Sequence, residues 1–541
     1  MSVFAYPSQV IRDAEEPLLD AGVPLMARAA RALANICLET LKADHGRVTG
    51  IRVSVLAGPG NNAGDALFAA ATLARRGAAV TVITLFDRTH AEGLAAARSA
   101  GAQVIAFTPT EDGASSTATE AADRPESRTG AASTGTSRTD VLRELTRADL
   151  VLDGILGTGG RRGLPDHIAA LIADWAPHRI GRLIAVDVPS DLDPGPEDAG
   201  SDGAHSVGTD QRLHADRTVT FGGLKSELVD PRIAEFTGSI DVIDIGLDLD
   251  PELADAELLD SADLAADFPR PDPTGHKYSR GITGVLAGSE DYPGAGVLTT
   301  TSAVNSGAGM VRYLGSPLVA EFVIGLHPEV VSASGRVDAV VLGPGDPESD
   351  YVQAVVDGLS DTNTPVVIDA GGLDMVGRAE AMAGTWLAHR PLIITPHAGE
   401  LARLLSRLLG EIITAGRIGQ DPVGWARQAA ELTGTIVLLK GHHTVIAAPD
   451  GFVVLPEPGP ASLATAGAGD VLAGVLGTLC AIASARARYG GDEAALPPRQ
   501  WARLAGLAVL LHNEAGRRAI TAAGFADAIA EVVDELIRAT D

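Results

Sequence analysis

Residues 51–86, IRVSVLAGPGNNAGDALFAAATLARRGAAVTVITLF, decide the fold class. IRVSVLAG (51–58) is a short β-rich run that ends in glycine. DALFAAATLARRG (65–77) reads as a helix closed by Gly77, and AVTVITLF (79–86) as the next strand. Two apolar strands joined through a helix make a parallel unit, covered on both faces. In the turn, Gly58, Gly60 and Ala63 fit the G-x-G-x-x-G/A dinucleotide fingerprint, but Pro59, Asn61 and Asn62 fill its variable positions. An NAD-dependent dehydrogenase fails on context. Its ribose acid should close the second strand about 20 residues on. Asp87 lies late for that role, and no hydride-transfer constellation is visible.

The same alternation extends outward. PLMARAARALANICLETL (24–41) has helical spacing; LVLDGILG (150–157), RLIAVDVPS (182–190), RTVTFGG (217–223) and SIDVIDIGL (239–247) read as further strands. Residues 108–140 are rich in Ser, Thr, Ala and Gly and cannot bury enough surface to offset ordering entropy, so they read as a mobile surface insertion. Residues 248–277, acidic and proline-containing, read as a linker. Beyond them come GITGVLAGS, AVVLGPG, PVVIDAGG, PLIITPHAGE and TIVLLKG, then helical stretches at 470–487 and 501–518. The expectation is two α/β domains, 1–249 and 250–541.

Composition narrows the function. A net charge of −28 repels phosphate backbones, so nucleic acid is not an expected partner. Aromatics are only 4%, too few for base-stacking platforms. Cys37 and Cys480 lie in apolar helical stretches and read as buried small hydrophobes. The start has no basic and apolar leader, and no apolar run reads as long enough to span a bilayer; the expectation is a cytoplasmic protein without a membrane partner.

The clearest chemistry is in the second unit. LATAGAGDVLAGVLGTL (463–479) sets Gly467 and Gly469 just before Asp470 at a helix start. Free N–H groups and the helix dipole there can receive a phosphate, and a carboxylate can take a proton from a hydroxyl. A plain aspartate cap after a flexible turn has the same local sequence. Three more strand-end loops accompany it: LGPGD (342–346), TPHAGELARLL (395–405) and KGHHT (440–444). In an open α/β sheet such loops share one ligand site. There is no G-x-x-x-x-G-K-[ST], so this is not a P-loop enzyme.

The ordered set GHKYSRG, YPGAGVLTT, HPEVV, LGPG, PVVIDAGGLD, TPHAGE, LLKGHHTVIAAPDG and ATAGAGDVLAG resembles the nucleotide-dependent NAD(P)H-hydrate dehydratases of the ribokinase-like fold. The resemblance covers nearly all of 270–520. It implies that ADP or ATP, with Mg²⁺, drives loss of water from the S epimer of hydrated NADH or NADPH. It implies Asp470 as catalytic base. Lys440, Gly441, His442, His443, Thr444 and Gly469 are implied at the adenine nucleotide, and Ala295, Gly345 and His397 at the hydrate. For His397, a structural role at its helix start is the alternative. Asp346 departs from the family, which more often has a glycine there.

The first unit resembles the NAD(P)H-hydrate epimerases, which have a doubly wound, Rossmann-like fold. The family's G-P-G-N-N-G-G-D-G loop appears as Gly58-Pro59-Gly60-Asn61-Asn62-Ala63-Gly64-Asp65-Ala66, and LVLDGILGTGGRRG (150–163), AVDVPSDLDPG (185–195) and ADRTVTFGGLK (215–225) match further loops. Asn62, Asp153 and Ser190 form an all-oxygen set suited to a hard cation; the resemblance implies K⁺, and a strand-end capping network is the alternative. Gly157, Thr158, Gly159, Gly160, Arg161, Arg162 and Gly163 read as a pyrophosphate loop. Asn61 and Asn62 are expected at the substrate. Asp187, at a strand end, is the candidate acid/base group at the nicotinamide ring, or else a capped buried carboxylate. Ala63, Ala66 and Asp191 stand where the family has glycine, which either needs negative φ there or reshapes the site.

Together these readings give a bifunctional repair enzyme, expected as a homo-oligomer, with the hydrates (NADHX and NADPHX) and an adenine nucleotide as small-molecule partners. The alternative is a ribokinase-like small-molecule kinase with a non-catalytic dinucleotide-binding domain.

Overall fold

A computed structural model describes residues 3–107, 136–157, 163–190, 213–346, 349–359, 362–383, 385–387, 390–490 and 496–538. Most of the insertion read at 108–140 therefore lies outside the described residues, as do Thr158, Gly159, Gly160, Arg161, Arg162 and Asp191. The chain forms two compact units, Tyr6–Leu253 and Met1–Ala5 with Ala254–Asp541. Its first strands are β1 (Val3–Tyr6), β2 (Arg52–Ala57), β3 (Ala79–Thr84), β4 (Gln103–Ala106), β5 (Leu150–Gly154), β6 (Arg182–Val186), β7 (Arg217–Phe221), the two-residue β8 (Leu224–Lys225) and β9 (Ser239–Ile243).

The Tyr6–Leu253 unit is built on the order β4-β3-β2-β5-β6-β7-β9, with parallel pairing throughout. The chain adds strands outward to one side from β2 and to the other side from β5, which makes their carboxyl ends the topological switch point of a doubly wound sheet. Alternate residues of β2 feed opposite cores. Val53, Val55 and Ala57 join Leu67 and Leu73; Leu56 joins Val151 and Trp175. The helix after β2 begins at Asn61, four residues earlier than its sequence suggested, because the extended Gly60 caps it. Ala63 and Ala66 thus lie inside a helix, where φ is negative, and the missing glycines impose no strain.

The second unit adds β10 (Ala256–Leu259), β11 (Ile282–Leu286), β12 (Met310–Tyr313), β13 (Ala339–Leu342), β14 (Val366–Ile368), β15 (Leu392–Ile394), β16 (Ile436–Leu439), β17 (Val445–Ala447) and β18 (Val453–Pro456). Strands β12-β11-β13-β14-β15-β16 are parallel; β17 then runs antiparallel to both β16 and β18. Two sequence expectations change here. The supposed linker 248–277 holds β10, which pairs with β18, and a helix, Ser261–Asp267, capped reciprocally by Asp260 and Asp263. Part of its acidity serves helix capping, and Asp255, Glu257 and Asp267 pair with Arg427 and Arg503. Residues Val3–Ala5 pair antiparallel with Ala256–Leu258.

Helix Ala468–Gly490 is long and apolar enough by composition to cross a membrane, contrary to the sequence expectation. It is instead a largely buried core helix. A Cβ on Gly474 would meet Ser302 Oγ at 2.1 Å, and one on Gly477 would meet Val341 Cγ2 at 2.1 Å. These glycines let it lie close against helix Pro293–Asn305 and β13.

Candidate active sites

In the first unit, side chains singled out from sequence gather at the β2/β5 switch point. Gly58 must be glycine, since a Cβ would fall 1.7 Å from the Ile155 carbonyl oxygen. That approach brings the two strand-end loops together. Asn62 Nδ2 donates to the Leu156 carbonyl at 2.8 Å. Its Oδ1 is shut off from solvent and has no hydrogen-bond partner among the described residues. Asp153, fully buried at the end of β5, accepts from Ser190 N–H and Ser190 Oγ, each at 2.6 Å. Ser190 Oγ also accepts from Leu156 N–H at 2.8 Å. The oxygen-bearing side chains singled out from sequence therefore converge through the 155–157 turn.

Beside them opens a cavity of about 470 Å³, whose lining includes Asn61, Asn62, Gly157 and Asp187, plus Glu15, Asp65 and Lys225. Gly163, the remaining described end of the pyrophosphate loop, has φ 79°. Asp187 follows β6 with φ 67°, an uncommon conformation for a residue with a side chain. The buried Lys225 donates to Asp187 Oδ1 at 2.6 Å and to Thr220 Oγ1 at 2.8 Å; Thr220 Oγ1 lies 3.1 Å from the same carboxylate oxygen. Asp65 Oδ1 is shielded and has no hydrogen-bond partner among the described residues. Burial, with Asp187 and Glu15 nearby, pushes the Asp65 carboxyl well above the usual range. Burial also raises Glu15.

In the second unit, Asp470 stands in the first turn of helix Ala468–Gly490, after Gly467 at φ 90°. It lines a cavity of about 580 Å³ with Tyr292, Ala295, Gly345, Asp346 and Gly467 among its walls. Burial, reinforced by the charge of Asp369 and opposed by Lys440, pushes Asp470 up to about 6. Lys440 Nζ donates to Asp369 Oδ1 at 2.7 Å and lies 4.0 Å from Glu400 Oε2. A Cβ on Gly469 would lie 3.3 Å from that ammonium, so the glycine keeps space open beside it. Gly345, φ 68°, approaches Ala295 closely enough that a Cβ would be 2.6 Å away.

His397 has a structural duty. Its Nδ1 accepts from Gly399 N–H at 3.0 Å while Glu400 accepts from His397 N–H at 2.8 Å. His397 also bridges Lys440 through backbone pairing, which joins two strand-end loops. Within the 440–444 loop, the His442 and His443 rings lie 4.7 Å apart, and Thr444 Oγ1 donates to the Gly441 carbonyl at 3.4 Å. Asp346 has φ 52°, so the position where glycine is more usual does adopt the left-handed conformation. Asp65, Lys225, Glu15 and Asp369 were not singled out from sequence. Asp65, Lys225 and Asp369 sit inside motifs quoted above, whereas nothing local marks Glu15.

Comparison with known proteins agrees with both halves. The NAD(P)H-hydrate dehydratase family model matches residues 283–538, and that of the YjeF-related protein N-terminus matches 23–226. The bifunctional NAD(P)H-hydrate repair enzyme of Mycobacterium tuberculosis is 39% identical over 490 residues, spanning 88% of this chain and 89% of its own. That of Corynebacterium glutamicum is 31% identical, spanning 98% and 96%. A crystal structure of the ADP/ATP-dependent NAD(P)H-hydrate dehydratase from Bacillus subtilis, co-crystallised with ATP and Mg²⁺, is 27% identical with a TM-score of 0.42, covering 50% of this chain and 96% of that one. The chain belongs to the bifunctional NAD(P)H-hydrate repair enzymes, in which an epimerase domain and a dehydratase domain share one polypeptide.

Proposed function

We propose that Asp470 is the base of a phosphorylation-driven dehydration of the S hydrate, with ADP or ATP as phosphoryl donor. The single observation that carries this reading is a carboxyl raised to about 6 at a helix start in the cavity wall. Such a group can accept a proton near neutral pH while helix N–H groups meet the transferring phosphoryl charge. Asp470 takes the hydroxyl proton as the hydrate oxygen attacks the terminal phosphorus, and the shortened nucleotide leaves. The ring nitrogen then expels phosphate, and loss of a proton from the adjacent carbon restores the double bond. Lys440, Gly441, His442, His443, Thr444 and Gly469 hold the nucleotide; Ala295, Gly345 and His397 face the hydrate. Mg²⁺, when bound, would neutralise phosphate charge. Among the described residues no three His, Cys, Asp or Glu converge on a metal, so it would be held through the nucleotide and no protein ligand is assigned.

In the first domain, Asp187 acts at the nicotinamide ring, and Asn61 and Asn62 contact the substrate. The shielded, unpartnered Asn62 Oδ1 and the buried Asp153 suit a K⁺ ion completed by Ser190. A K⁺ ion held there would supply a fixed positive charge for an anionic substrate. The test is to incubate the full chain with mixed hydrate epimers, with and without ADP or ATP. Nucleotide should restore reduced-nicotinamide absorbance from both epimers and release one orthophosphate per turnover. Accumulation of a stable phosphorylated product would sink the reading in favour of a kinase.

A further inference from the structure

Epimerisation must invert one carbon. Water adds to an enamine with its hydroxyl on the carbon bonded to nitrogen, so the hydrate is a carbinolamine at that carbon. Its C–O bond can break with help from the nitrogen lone pair, and water can return to the opposite face. Departure needs a proton donor at the leaving oxygen, and return needs a base at the incoming water.

The first-domain cavity holds two carboxyls in opposite surroundings. Asp187 Oδ1 accepts from the buried Lys225 ammonium and from Thr220. Asp65, on helix Asn61–Arg75, shows neither feature: its Oδ1 is shielded and has no hydrogen-bond partner among the described residues. Both line the same cavity, with Glu15 as a third carboxyl and Arg12 at its wall. A shielded carboxyl facing one that a lysine and a threonine hold by hydrogen bonds, both in one cavity wall, supplies the two groups that an acid and a base in one site require.

We propose that Asp65 is the proton donor of the epimerisation, working with Asp187 as the base. This rests on the reading of Asp187 given above. Asp65 passes its proton to the hydroxyl oxygen as the C–O bond breaks. The bonding pair leaves with water, and the nitrogen lone pair forms C=N⁺. A second water adds its electron pair to the same carbon from the other face, and its proton passes to Asp187. That proton returns to Asp65 through solvent, so one water leaves, one enters, and nothing is oxidised. The raised affinity of Asp65 for its proton, caused by burial and by the neighbouring Asp187 and Glu15, keeps the donor loaded.

The test uses the full chain and pure R hydrate. Asp65→Asn should lower kcat for epimerisation by about 100-fold or more, with KM within roughly threefold. The rate of nucleotide-driven dehydration of pure S hydrate should be unchanged. A raised KM at wild-type kcat would overturn the donor role and leave Asp65 as a binding residue. Because Asp65→Asn can disturb folding, a second measurement uses the wild type. Epimerisation in ¹⁸O-labelled water should place one labelled oxygen in each inverted product, above the enzyme-free exchange; retention of the original oxygen overturns the scheme. Asp187→Asn separates the two readings. If it is inactive while Asp65→Asn is active, the present proposal falls and the Asp187 reading stands. If Asp65→Asn is inactive while Asp187→Asn is active, the Asp187 reading falls and Asp65 remains the donor.

Discussion

The Lys440 ammonium sits 2.7 Å from Oδ1 of the buried Asp369, and both charges act on Asp470 in opposite senses. The pair therefore sets the pH at which the base is ready. Lys440→Met removes the lowering influence, so the acid limb of the dehydration rate should move above pH 6. Asp369→Asn removes the raising influence and should move it below. Both are read from kcat/KM against pH for S hydrate at saturating nucleotide. Shifts in the same direction would contradict the arrangement.

Asp470→Asn should cut dehydration by about 100-fold or more, with nucleotide affinity little changed. It should also stabilise the second domain. The folded-state value of about 6 lies above the 3.8 of an ordinary aspartate, so the folded domain binds this proton more tightly than the unfolded chain. The ionised carboxylate is thus a cost at neutral pH, relieved as pH falls through 6 towards 4. Thermal melts should show the variant roughly 2–4 °C higher at pH 7.5, with the gap closing by pH 4.

Asn62→Ala should abolish stimulation of epimerisation by K⁺ over Na⁺ while leaving dehydration of S hydrate intact. Asp153→Asn goes further, because the buried carboxylate accepts two 2.6 Å hydrogen bonds from Ser190. Weakening these charge-assisted bonds should cost about 1.5–3 kcal/mol in first-domain stability, measured by urea unfolding. An Asn62→Ala enzyme that still prefers K⁺ would remove Asn62 from the cation site.

Restoring the family's glycines should not improve the first domain. Ala63 and Ala66 lie within helix Asn61–Arg75, so each change to glycine should cost about 1 kcal/mol. Asp346→Gly should behave oppositely, since φ 52° is easier for glycine; second-domain stability should hold or rise by up to about 1 kcal/mol. Chemical denaturation of the three variants checks both signs.

The sequence made the βαβ rhythm legible because each strand end is punctuated by glycine and both sheet faces are apolar. The GAGD turn marked Asp470 for the same local reason. Long-range convergence was less visible. Glu15 comes from helix Ser8–Asp20 yet lines the cavity with Asp187, and no spacing rule joins residues so far apart. Asp65 and Lys225 were inside recognised motifs, but their shared cavity with Asp187 exists only after the fold brings the β6 end, β8 and the 61–75 helix together. The acidic 248–277 segment misled because acidity resembles a linker's, while Asp260 and Asp263 spend theirs on a helix start.

Pairing of Val3–Ala5 with Ala256–Leu258 makes the two catalytic units nested rather than tandem along the polypeptide. The dehydratase sheet receives its antiparallel strand Val3–Ala5 from ahead of the epimerase unit and its other strands from behind it. A separate epimerase is therefore best cut at Tyr6 and Leu253. A dehydratase expressed from residue 254 onward would expose the hydrogen-bonding edge of Ala256–Leu259, a template for pairing with another chain. Supplying a peptide of the leading residues should suppress that association, making the first strand a detachable chaperone for the last domain.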